Sequence, residues 1–291
     1  MQYLKKLFSL MKTKKKLLLF LLYFISIIAS VFIVYQSAYG SIPKNELIYM
    51  KSVDPEMGLD FFYILQDSGL TLLIFILTCF IVPNIISSDF LILENNKCDY
   101  FITTRLTSAK YNKITKYYNF MTTLLMMIVT QLLIVFIIHL FCFEISFSIN
   151  EIYAGATRQT TLFSNSLMLS LVIYILLSSL GYALFSQFIF SLQAYIKNIY
   201  LFRTLGLCVS LVLYIGSAVI TRVISNLSGG SFLPTLTHFL NISNILTPGI
   251  IRSPVLDHHY VLFYIGTFFF YCVMTLILFH IKDRNKYGYN Q

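Results

Sequence analysis

Apolar residues fill long stretches of this chain and leave no polar stripe. Residues 17–34, LLLFLLYFISIIASVFIV, are apolar all round. Stretches without Asp, Glu, Lys or Arg cover 17–43, 68–88, 117–143, 159–196, 204–221 and 258–281. A helix crosses the hydrocarbon of a bilayer with about 20 residues, so each is long enough to span. A core helix of a water-soluble domain is shorter and keeps a polar face. The strands of a membrane barrel alternate apolar and polar residues over about ten positions, which these segments do not do. The pattern predicts an all-α membrane protein with six transmembrane helices, approximately 17–39, 68–88, 119–143, 166–193, 203–224 and 260–281. They form one domain over 1–291.

Local features refine that outline. Residues 4–11 put Leu4, Leu7, Phe8 and Met11 on one face and Lys5, Lys6 and Lys12 around the other, a pattern suited to an N-terminal helix lying in the membrane interface. Pro83 is expected to bend the second span, because proline removes a helical hydrogen bond. Gly206, Ser210 and Ser217 share one face of the fifth span; small residues let helices approach closely in lipid, within one chain or between subunits. The segment 40–67, with Glu46, Asp54, Glu56, Asp60 and Asp67, reads as a solvated loop. The longest connection, 225–259, is apolar despite its Gly and Pro and is expected to dip back into the membrane against protein.

Composition agrees with the pattern. The chain is 57% hydrophobic and 11% charged, against roughly a quarter charged in soluble domains. The basic segment before the first span resembles that of a secretory signal, but the apolar run is too long and lacks a good cleavage site, so a retained signal-anchor is expected. Cys79, Cys98, Cys142, Cys208 and Cys272 are scattered without a CxxC pair, unlike a disulfide framework or a zinc site.

Charge sets the orientation. With six spans, the termini and the segments 88–116 and 194–203 share one side, and 16 of the 21 Lys and Arg residues fall there. Cytoplasmic loops collect basic residues, so both termini are expected to be cytoplasmic. The net charge of +9 follows from this bias and calls for anionic lipid, not nucleic acid, as its partner.

The chemistry that is missing narrows function. No GxxxxGK[ST], HExxH or GxSxG occurs, so neither a phosphate-binding loop nor these hydrolase signatures are present. The span interiors hold no Asp, Glu, Lys or Arg, the residues that mark proton relays and ion paths in membranes. His139 and His280 lie near span ends. Asp257-His258-His259 is the best metal cluster by composition, but neighbouring histidines on a helix diverge by about 100° and share one ion poorly. The chain is expected to be no enzyme, to hold no cofactor or metal, and to take any transport energy from a partner.

One inner segment stands out. Residues 94–119 gather Lys97, Arg105, Lys110, Lys113 and Lys116, with Asp89, Glu94 and Asp99 at or just before the start. As a helix, Cys98, Phe101 or Ile102, Leu106 and Ala109 keep one face apolar, while Lys110, Lys113 and Lys116 occupy another. Such a segment can lie along the membrane surface and offer a polar side to a cytoplasmic protein.

The stretch SSDFLILENNKCDYFITTRLTSAKYNKITKYY, 87–118, resembles permease subunits of type-2 ATP-binding-cassette exporters. There the loop after the second span carries an acidic residue, a short amphipathic helix, a Thr- or Ser-rich turn with Arg, and a Lys opening the third span. Glu94, the run Phe101-Ile102-Thr103-Thr104-Arg105, and Lys113 or Lys116 occupy those places. Asn95-Asn96-Lys97 stands where the family has a glycine.

The resemblance implies two six-span subunits, alike or different, each docking an ATPase subunit that holds ATP and magnesium. Phe101, Ile102 and Leu106 would seat in a cleft of the ATPase. Glu94, Asp99 and Arg105 would pair with charges on its rim, and Lys113 and Lys116 would anchor the segment at lipid headgroups. The site would be a bacterial plasma membrane. The cargo expected is a hydrophobic or amphipathic peptide, such as an antimicrobial or toxin peptide, or a lipid-like molecule, because the spans are rich in Phe, Tyr, Ile and Leu and lack fixed charge. Two other readings stand beside it: a non-transporting immunity or sensor subunit that binds a peptide, and a polytopic membrane enzyme.

Overall fold

The computed structural model describes residues 14–54, 56–67, 69–82, 88–96, 108–147, 164, 166–196, 198–228, 239–249 and 260–287. Every regular element among them is a helix. In chain order these are α1 (Lys14–Tyr39), α2 (Lys44–Val53), α3 (Met57–Asp67), α4 (Gly69–Val82), α5 (Ser88–Asn95), α6 (Ser108–Ile137), α7 (Leu167–Ser191), α8 (Ile199–Ser228), α9 (Ser243–Leu246) and α10 (Tyr260–Tyr287). A π-helical turn, Ile138–Cys142, prolongs α6, and a 3-10 turn, Leu192–Ala194, prolongs α7.

Four helices are long and apolar enough to cross a membrane: α1, α6 with its π turn, α7 and α10. The bent pair α3–α4 makes five if it counts as one crossing. Helix α8 has 30 residues, of which Ile199–Leu213 form a shorter apolar stretch.

Contacts at the helix ends give the directions. At one end, Tyr35 and Tyr39 of α1, Phe61 of α3 and Phe143 just beyond α6 form an aromatic cluster with ring centroids 4.8–5.8 Å apart. At the other end, Phe90 of α5 meets Tyr118 near the start of α6 and Phe190 near the end of α7. Thus α1 and α6 run one way, and α3–α4 and α7 the other. The second end carries Lys110, Lys113 and Lys116 and is the basic end.

The centre of the bundle is α7. It packs against α6 along its length, and against α10, α9, α8 and α4. Serines, Gly181 and Ala183 on its buried faces allow that crowding, since small residues bring backbones together where lipid gives no hydrophobic drive for association.

One expectation is corrected. The segment 40–67 is not a solvated loop throughout. Helix α2 has no buried residue, but α3 buries Met57, Leu59, Phe61, Phe62, Tyr63, Leu65 and Gln66. The carboxylates Asp60 and Asp67 stay at its open side, intermediate and exposed, so one broad apolar face packs inward in spite of them. A bend appears earlier in the chain, where α3 and α4 meet at 57°. Helix α4 is described as far as Val82; Pro83, where the bend was expected, lies outside the described residues.

The connection after α8 does fold back on the bundle in its described part, 239–249. Ile242, Ile245 and Leu246 are fully buried, packed against α7 and α10. Ser178 donates to the Leu246 carbonyl at 2.6 Å, Asn244 Nδ2 to Thr267 Oγ1 at 3.0 Å, and Tyr271 to the Leu240 carbonyl at 3.4 Å. Gly181 lies fourteen residues into α7, or about 21 Å at 1.5 Å per residue, and faces the Ile245 carbonyl. Irregular backbone at that depth is tolerated when protein satisfies it. Gly249 closes the segment at φ 80°, a left-handed conformation that glycine takes without penalty.

Candidate functional site

The basic end holds the docking segment read from the sequence. Glu94 lies in the last turn of α5. Asp99, Phe101, Ile102, Arg105 and Leu106 lie outside the described residues, as do the N-terminal stretch 4–11 and Asp257-His258-His259. Lys113 is exposed on the first turns of α6.

Lys116 has a different setting from a headgroup anchor alone. Its ammonium stands over the Phe279 ring of α10, 4.0 Å from the centroid. Its backbone carbonyl accepts a bond from Gln187 Nε2 of α7.

These contacts belong to a closed circuit. Tyr118 meets Phe90 at 5.9 Å, Phe90 meets Phe190 at 5.9 Å, and Phe190 meets Phe279 at 6.0 Å, each edge to face. Lys116 over Phe279 returns the circuit to α6. All five side chains except the half-buried Lys116 are buried. Lys116 and Tyr118 lie in the first half of α6, and Phe90, Phe190 and Phe279 lie toward the ends of the helices that meet it there. An aromatic face attracts a cation through its quadrupole, more strongly when water is excluded.

Inside the bundle lies a second feature, invisible to a count of charges. Gln66 of α3 and Gln131 of α6 pair amide to amide, Gln66 Nε2 donating to Gln131 Oε1 at 2.9 Å and Gln131 Nε2 to Gln66 Oε1 at 3.4 Å. Tyr174 of α7 donates to the same Gln66 oxygen at 3.2 Å. Thr71 donates to the Gln66 carbonyl across the bend. Deeper in, Tyr23 Oη and Thr130 Oγ1 are 3.0 Å apart, and Thr78 donates to Met127 Sδ at 3.6 Å. Toward the basic end, Asn119 and Thr123 both donate to Ser186 Oγ, at 3.1 and 3.0 Å.

Neutral polar groups therefore form a seam that joins α6 to α1, α3, α4 and α7. Together they can hold helices in register; they offer no carboxylate, amine or imidazole for acid–base chemistry. Tyr63 Oη and Ser170 Oγ, on the packed helices α3 and α7 beside Tyr174, are both buried.

The opposite end is tied by Lys51. Its ammonium donates to the Cys142 carbonyl at 2.9 Å and stands 5.1 Å from the Phe143 centroid. It thus satisfies a carbonyl at the C-terminal turn of the α6 extension, where a cation also suits the helix dipole. His139, exposed, accepts from the Ile145 amide at 3.1 Å.

Among the described residues no group of three or more His, Cys, Asp or Glu could hold a metal, and Cys79, Cys142, Cys208 and Cys272 form no disulfide. On the small-residue face of α8, Gly206 is buried, and α8 packs on α4 and α5. The chain matches no protein-family model, no curated protein and no solved structure.

Proposed function

We propose that this chain is the membrane-spanning permease subunit of a type-2 ATP-binding-cassette exporter, worked from its basic end by a separate ATPase subunit. In this reading α8 is the fifth of six spans, α3–α4 the second, and both termini are cytoplasmic. Two permease subunits pair, each docks one ATPase through residues 90–112, and the cargo is a hydrophobic or amphipathic peptide or a lipid-like molecule. The membrane is a bacterial plasma membrane.

The observation that carries the reading is the setting of that segment. Both its flanks are rooted in the bundle: α5 by Phe90 between Tyr118 and Phe190, and α6 by Lys116 on Phe279. A merely solvated loop needs no such footing on four helices. The resemblance of 87–118 to the family's coupling segment supplies the rest, as an analogy of pattern. The interior agrees with it: the polar seam is neutral, so the energy for transport has to enter from outside the bundle.

The test is purification of the tagged chain with the ATPase encoded beside it. The reading expects a soluble protein bearing GxxxxGK[ST] to co-purify with the wild type. It expects that protein to be lost from the Phe101→Ala, Arg105→Ala double variant while the chain stays in the membrane at its usual level. Undiminished co-purification removes the docking role. Absence of any such ATPase removes the exporter reading and leaves an immunity or sensor subunit.

A further inference from the structure

The docking segment lies between α5 and α6, and both of these helices contribute to one ring of side chains. Going round it, Tyr118 (α6) touches Phe90 (α5), Phe90 touches Phe190 (α7), Phe190 touches Phe279 (α10), and Phe279 carries the ammonium of Lys116 (α6). Gln187 (α7) bonds the Lys116 carbonyl inside the ring.

We infer that this ring is a mechanical joint: it passes a displacement of the basic segment to α7 and α10, with Lys116 and Phe279 as its positioning residues. The inference rests on the ATPase-docking reading above and adds the route by which docking is felt in the bundle.

The physical argument has three steps. Close-packed aromatic contacts do not stretch continuously; they hold one arrangement or switch to another. A push on either flank of the segment moves Phe90 or Lys116, and each has a direct partner on α7 or α10. The last helix has no peptide connection to the segment, and residues 97–107 are separated from it by more than 150 positions. Lys116 on Phe279 is therefore a short path between them, whereas α1 contributes no described side chain to the ring. Tyr264 and Tyr271, on the same α10, bond the Leu177 carbonyl of α7 and the Leu240 carbonyl of the inward-folded segment. A shift of α10 at the basic end thus reaches residues 239–249 inside the bundle.

The experiment compares wild type with Lys116→Met, Lys116→Arg, Phe279→Leu and, as a control, Phe136→Leu. Phe136 is on α6 but 57% exposed on the lipid side. Each chain is purified with its ATPase subunit into lipid nanodiscs. Three quantities are read: ATPase subunit retained, the ratio of ATP hydrolysis in the complex to that of the isolated ATPase, and thermal stability. Lys116→Met and Phe279→Leu are expected to retain the ATPase while the permease-dependent change in hydrolysis shrinks about fivefold or more. Lys116→Arg is expected to restore it, because guanidinium also stacks on an aromatic face, and Phe136→Leu to leave it unchanged.

If Phe279→Leu does not fold, Lys116→Met, which keeps an apolar stem under the ring, carries the test. An unchanged ratio in stable Lys116→Met overturns the joint and leaves the docking reading standing. Loss of the ATPase from Lys116→Met also overturns it, since the residue would then belong to the seat. A wild-type complex that retains no ATPase overturns both.

Discussion

Adding one methyl group at Gly181 should loosen the inward-folded segment. A Cβ there would stand 1.9 Å from the Ile245 carbonyl oxygen and 2.6 Å from its carbon. Ordinary contact begins near 3.4 Å, so backbone must retreat by about 1.5 Å. That movement breaks the bond from Ser178 to the Leu246 carbonyl, at 2.6 Å, and strains the one from Asn244 to Thr267, at 3.0 Å. Overpacking a core costs about 1–3 kcal/mol, and interhelical hydrogen bonds in membranes average about 0.6 kcal/mol each. Replacing glycine inside a helix returns up to about 1 kcal/mol. Gly181→Ala is therefore expected to destabilise the fold by about 1–3 kcal/mol. Thermal unfolding in detergent, followed with a thiol-reactive dye, reads this through the buried Cys79 and Cys142, with exposed Cys208 reacting at the start. Gly216→Ala is the control, because among the described residues nothing lies within 4 Å of its added methyl; it should be neutral or slightly stabilising. A Gly181→Ala protein as stable as Gly216→Ala would refute the packing argument.

Further outcomes follow from the same geometry. Gln131→Leu leaves the Gln66 amide buried without its partner and should cost about 1–3 kcal/mol in the same assay, with Gln66→Leu, Gln131→Leu together costing less than the two single changes summed. Additive losses would mean the amides do not act as a pair. For sidedness, with native cysteines replaced by serine, Lys44→Cys should label from outside intact cells with a membrane-impermeant maleimide, and Lys110→Cys only after permeabilisation. The reverse pattern would invert the proposed orientation.

Much of the architecture was legible in the apolar runs, because a helix with no polar face has few places to be other than lipid. The run predicted as 17–39 is α1, Lys14–Tyr39, and that predicted as 166–193 is α7, Leu167–Ser191. Helix α3 was hidden by its carboxylates. Asp60 and Asp67 marked 57–67 as loop, although the intervening FFYILQ is apolar but for its last residue and continues the run upstream of 68. The signal was present, but a charge-free criterion discards it. The polar seam was less accessible still. Gln131 and Asn119 interrupt α6 without a charge, and nothing in one sequence says that Gln131 will face Gln66, 65 positions earlier. Pairing depends on which helices become neighbours. Likewise Lys116 reads as one of several interfacial lysines until α10 brings Phe279 beneath it.

The central claim is that an ATP-hydrolysing protein grips the segment between α5 and α6. The direct measurement places a photo-crosslinking amino acid at Phe101 in living cells and identifies by mass spectrometry what it captures. The account predicts one dominant protein adduct carrying GxxxxGK[ST], lost when the same crosslinker stands at Phe136 on the lipid side. Capture of lipid alone at Phe101, or of proteins without an ATP-binding loop, would contradict it.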